Sequence, residues 1–157
     1  MSYLMLKYLH LLSMVLLFGT GLGSAWYKWM ADRSGNLAHI CETNRLAVKA
    51  DWLFTTPSII FQPLTGMLLA TTAGMPLDTP WIALSLALYI LAGTCWLPVL
   101  VLQIRMHRLS QLALETGQEL PATYHHQART WFWLGVPAFL SMSAVVFLMV
   151  FKPGWTS

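Results

Sequence analysis

The sequence predicts an all-α protein, a four-helix transmembrane up-down bundle with a kinked second helix. Three observations carry this expectation. Hydrophobic residues make up 57% of the chain and charged residues 10%, with a mean hydropathy of +0.59. Soluble domains carry about 25% charged residues. Apolar stretches run near residues 4–30, 46–72, 80–103 and 130–151, and a helical span needs roughly 20 such residues. Lipid admits only helices or closed barrels, and these runs lack the alternation of a barrel strand. Little chain remains outside them, so residues 1–157 read as a single integral membrane domain.

The first span opens at Leu4 and carries an ionisable residue, His10, among apolar neighbours. The second contains Pro57 and Pro63 with Thr55, Thr56, Gln62, Thr65 and Gly66 around them. A proline removes a helical hydrogen bond, and nearby Thr or Gln side chains can satisfy the freed carbonyl. Gly66 allows close approach of a neighbouring helix or a flat ligand. The third span begins at Pro80, and its periodicity continues past Gln103 toward Glu115, so the helix projects beyond the bilayer. Gly117 is the expected stop and Pro121 the expected start of the helix leading into the fourth span. Trp26, Trp29, Trp52, Trp81, Trp131, Trp133 and Trp155 fall near span ends, as interfacial belts do.

The net charge of +3 does not indicate nucleic acid. Lys28, Arg33, Arg45 and Lys49 flank the first connection and Arg105, Arg108 and Arg129 the third, while residues 73–79 hold no Lys or Arg. By the positive-inside rule the first and third connections are cytoplasmic. The expected setting is the inner membrane of a bacterium, multi-pass, N-out and C-out, with the lipid bilayer as first partner. A homodimer or a second membrane protein is a further possible partner.

Ionisable residues inside a membrane are costly and usually functional, which makes His10 the leading candidate. At about 1.5 Å of rise per residue, it lies roughly 9 Å below the outer boundary. Thr65 and Gly66 of span two and Met142 of span four reach similar depth, and Met14 is one turn deeper on the same helix face. The other histidines, His39, His107, His125 and His126, cluster toward the opposite side. One chain therefore cannot place two imidazoles at this level. Haem iron also accepts His with Met, so Met14, Met67 or Met142 can complete a site, as can a second copy at a dimer interface. The structural alternative is a histidine hydrogen-bonded to Thr65, Tyr89, Ser141 or Ser143. Asp51, Gln62 and Arg105 are the structural or proton-linked polar residues; on the inner side an Asp51–Arg105 pair is expected to clamp spans two and three, with Gln103 at similar depth. Cys41 and Cys95 suggest no disulfide framework, and no C-x-x-C-H haem-attachment motif occurs. His39, Cys41, His125 and His126 read as scattered loop residues rather than a metal site.

Three resemblances follow from these residues. Lys7-Tyr8-Leu9-His10, with Thr56-Pro57 and Thr65-Gly66, resembles the small membrane-embedded protoporphyrinogen oxidase family, and the copper-resistance membrane domain family is distantly similar. The first implies a bundle of about four helices that binds haem b through membrane histidines. It places a lysine in the third span, and this chain has none between Pro80 and Gln103. The implication carried here is thus a haem or porphyrin site with His10 as metal ligand, not porphyrinogen oxidation. Over nearly the whole chain, Leu9-His10, Asp51-Trp52-x-Phe54-Thr55 and Gln62-Pro63-x-Thr65-Gly66 resemble an uncharacterised bacterial family of predicted integral membrane proteins. The expected function is a small redox component binding haem b or a porphyrin. The rival is a non-enzymatic membrane accessory or assembly factor without cofactor. A permease is the weaker third, because few polar residues are available to line a pathway.

Overall fold

The computed structural model describes residues 2–153, so Trp155 lies outside the described residues. Its elements are α1 (Tyr3–Ser34), α2 (Leu37–Ala50), a π turn (Asp51–Thr55), α3 (Thr56–Thr72), α4 (Pro80–Thr116) and α5 (Ala122–Phe151). Helix α2, the π turn and α3 form one continuous rod, giving four helices long and apolar enough to cross a membrane. The all-α four-helix membrane bundle is therefore observed.

Local chemistry sets the ends. Ser2 caps α1 by accepting from Met5 N at 3.3 Å, and Asn36 caps α2 by accepting from His39 N at 3.2 Å. Gly35 (φ 66°) and Gly117 (φ 65°) end α1 and α4 in the left-handed conformation that side-chain-bearing residues avoid. Pro80 opens α4 after Thr79, and Pro121 precedes α5. Gly117 and Pro121 thus act as the sequence suggests.

The helices are longer than the apolar stretches. α1 has 32 residues and α4 has 37, about 48 and 55 Å at 1.5 Å per residue, against a hydrocarbon core of about 30 Å. The first connection accordingly shrinks to Gly35 and Asn36. Lys28, Arg33, Arg45 and Lys49, expected to flank a longer loop, are helical, as is Cys41, which is buried in α2.

Helix α1 packs along α3, α4 along α5, and α2 onto α4. Large apolar side chains face outward: Leu4 is 74% exposed, Ile90 66% and Val150 69%. The surrounding lipid is as apolar as a protein core, so burial no longer sorts residues by polarity. Alongside a few large apolar side chains such as Met106, Tyr124 and Trp131, much of what is buried is small or polar. Asp51, Thr55, Ser58, Gln62 and Thr65, each at most 5% exposed, recur every three or four residues along the π turn and α3. They form one polar stripe on the face toward the bundle interior.

The irregularity expected near the prolines is the π turn itself. Thr56 N donates to Asp51 O, five residues back. The following Pro57 has no N–H, and its ring would crowd the carbonyl four residues earlier. A widened turn shifts the carbonyl register and relieves that contact.

Candidate functional site

The polar stripe meets α1 at His10. The imidazole Nδ1 lies 2.8 Å from Thr65 Oγ1, and both residues are buried. Thr65 Oγ1 is also 2.7 Å from Phe61 O and 3.3 Å from Gln62 O. A hydroxyl has one proton, and a carbonyl can only accept. The hydroxyl therefore donates to its own helix, and His10 Nδ1–H donates to Thr65. In this neutral tautomer the lone pair resides on Nε2, which has no hydrogen-bond partner among the described residues. One turn along, Ser13 Oγ donates to Gln62 Oε1 in a short hydrogen bond. Two side-chain bonds thus join α1 to α3.

Gly66 stands against the ring. A Cβ at this position would lie 3.3 Å from His10 Cε1 and 3.9 Å from Nδ1. Of the two occupants the sequence allows at Gly66, a neighbouring helix or a flat ligand, it is the imidazole of His10 from α1 that stands against it. Gly66→Val is therefore expected to expel the ring from its seat and break the Thr65 bond. Chemical shifts of the His10 ring in the labelled protein check this, and unchanged shifts would refute it.

His10 also lines a cavity of about 360 Å³ between the α1–α3 and α4–α5 pairs, within the range of small-molecule sites. Met14, Met67 and Met142 line the same cavity, so the geometry gathers the residues selected from sequence. Two further thioethers, Met75 and Met149, and two lysines, Lys7 and Lys152, border it as well. Sequence reasoning missed these four. Lys152 also lies 6.0 Å from the centre of the Trp81 ring. Tyr89 borders the cavity and donates through its hydroxyl to Ile59 O, a carbonyl left free by Pro63 four residues later.

The expected Asp51–Arg105 pair is not formed. Arg105 is exposed, whereas Asp51 is 3% exposed and accepts from Thr55 Oγ1 at 2.8 Å. Arg105 falls on the outward face of α4, and its long, strongly solvated head group remains at the surface. The ion pairs among the described residues are Lys28–Asp32 and Arg45–Glu42. His39, His125 and His126 are exposed, and no group of three His, Cys, Asp or Glu side chains among the described residues gathers to hold a metal.

A second buried polar cluster lies at the opposite end from the termini. Lys28 Nζ contacts Asp32 Oδ2 at 3.0 Å and donates to Tyr124 Oη at 3.1 Å. Tyr124 Oη donates to Asp32 Oδ1 at 2.6 Å and accepts from Asn44 Nδ2 at 3.0 Å. Asn44 Nδ2 also reaches Ser110 Oγ at 3.1 Å. These residues come from α1, α2, α4 and α5, around Met106, Ala31 and Ile40. A helical spacing of four between Lys28 and Asp32 was the one sequence signal for this cluster.

Four long apolar helices with a buried polar stripe define a multi-pass integral membrane protein. The model of a family described as predicted integral membrane protein (DUF2269) matches residues 4–153, and the chain belongs to that family. No curated protein and no solved structure gives a significant match.

Proposed function

We propose that this membrane protein holds haem b or a related porphyrin in the cavity beside His10, as a small component of membrane electron transfer. The observation that carries this reading is the poise of His10. Thr65 engages Nδ1 and leaves the Nε2 lone pair available, which is how an outer hydrogen bond orients a metal-ligating imidazole. Thioethers of Met14, Met67 and Met142 border the same space and supply the second kind of ligand that haem iron accepts. Lys7 and Lys152 match the carboxylates that such a ring carries at one edge. When bound, the group would supply one-electron chemistry. The chain's own part is to fix the imidazole tautomer, surround the ring with apolar walls and pair its carboxylates. The Lys and Arg excess near the α1–α2 turn and the α4–α5 connection supports an N-out, C-out orientation in a bacterial inner membrane.

Absorption spectra of the gently purified protein, before and after dithionite, test this. A stoichiometric Soret band with reduced α and β bands is expected. A colourless protein after expression with added haem precursor would sink the proposal. It would leave the second reading, an accessory protein in which His10–Thr65 and Ser13–Gln62 simply tie α1 to α3.

A further inference from the structure

A second cavity, of about 330 Å³, lies toward the other end of the bundle, bounded by α1, the π turn, the start of α3, α4 and α5. Its walls are mostly apolar, and Gly21, Gly93 and Gly135 keep it open. Space remains beside each glycine, because a Cβ added there would meet nothing within 4 Å. Ser24, Thr55, Tyr89, Asp51 and Gln103 interrupt the apolar lining, and the indole N–H of Trp131, unpartnered among the described residues, borders it as well.

Asp51 and Gln103 are almost fully buried, at 3% and 4% exposure. Asp51 Oδ2 and Gln103 Oε1 have no hydrogen bond of good geometry among the described residues, although the Gln103 side chain approaches the Asp51 carboxyl. Buried acceptors without a donor are costly and uncommon in native proteins. Asp51 also sits on the π turn, a distortion often found at functional sites. Two buried acceptors and the Trp131 N–H at the polar end of an apolar slot suit a ligand of matching shape with a polar head. It has a flat or slender apolar body and carries hydroxyl donors at its head.

We infer that this cavity binds a lipid-soluble hydroxylated ring of the hydroquinone class, its hydroxyl groups donating to Asp51 Oδ2 and Gln103 Oε1. The proposal goes beyond the His10 site, which occupies the other cavity. Tyr89 and Met142 border both cavities, so the two ligands would lie on either side of this pair.

Calorimetric titration of the full chain in detergent tests the inference, with heats corrected against empty micelles. The probe is a short-tailed alkyl hydroquinone kept reduced under anaerobic conditions, and the control is an alkylbenzene of equal tail length. Saturable binding of the hydroquinone is expected, without displacement by the alkylbenzene. Asp51→Leu and Gln103→Leu should each weaken binding by about tenfold or more, while Asp51→Asn, which keeps an acceptor oxygen, should bind nearly as the parent does. Gly93→Leu, which fills the slot without touching the polar end, should also abolish binding in a protein of unchanged helicity. Equal competition by the alkylbenzene would overturn the proposal, since the slot would then hold acyl chains. Unaltered affinity in both leucine variants at the polar end would overturn it too.

Discussion

Lys28→Met is expected to destabilise the bundle by about 2–4 kcal/mol, within the range for breaking a buried charged network. The ammonium is 1% exposed and contacts Asp32 and Tyr124, with the Tyr124 and Trp131 rings 5.1 and 5.6 Å away. Methionine preserves most of the volume but removes every donor. Asp32, about 25% exposed, can recover some hydration, which keeps the cost below that of a fully enclosed orphan. The Tyr124 hydroxyl loses one of its two donors and has no route to solvent. Thermal unfolding in detergent, followed by tryptophan fluorescence, gives the readout. Arg45→Ala, which breaks the surface pair with Glu42, provides the contrast and should leave the transition unmoved. Equal transitions for Lys28→Met and the parent would show that the network does not hold the four helices together.

The second large effect concerns the proposed haem site. His10→Ala should abolish the dithionite-sensitive bands while the helical content persists, because the other histidines sit near the far end of the bundle and cannot replace it. Thr65→Val is the more informative partner. It keeps the branched shape but frees Nδ1, so the ring loses its fixed orientation and tautomer, and loading should fall by about 10–100-fold. Removing the neutral hydrogen bond costs only about 1 kcal/mol of stability, so a strong spectral loss with a small change in unfolding separates ligation from folding. A full-strength spectrum in His10→Ala would exclude His10 as the ligand.

Much of the fold was legible because lipid enforces it. Composition and run length admitted four helices, and Gly117 and Pro121 marked an interruption that backbone chemistry alone requires. The His10 neighbourhood was accessible for a related reason. Helical rise is constant, so depth counting brought Thr65, Gly66 and Met142 to one level. Depth does not give azimuth, however. It could not show that Gly66 receives the imidazole, or that Met75, Met149, Lys7 and Lys152 share the cavity.

The polar stripe from Asp51 to Thr65 was readable as a repeat of fours and threes. Ser58 escaped notice, and Thr55 was read only as a neighbour of the prolines, because hydroxyls in membrane helices usually satisfy themselves on their own backbone. The Asp51–Arg105 pairing failed for a different reason. Opposite charges at matched depth attract only if both lie on facing surfaces, and Arg105 points outward.

The sequence by itself determined the helical class, the span count and the level at which His10 sits, since these depend on hydrophobic length and local backbone chemistry. Tertiary structure decided which polar groups meet. Lys28, counted from sequence among the charges flanking the first connection, is the buried centre of a network joining all four rods, and Asp51 faces an open slot rather than a cation. The physical reason is that the bilayer drives apolar surface outward without choosing partners inside. Rotation of each helix is left to a few directional hydrogen bonds and to small residues, whose effect exists only once the helices are packed.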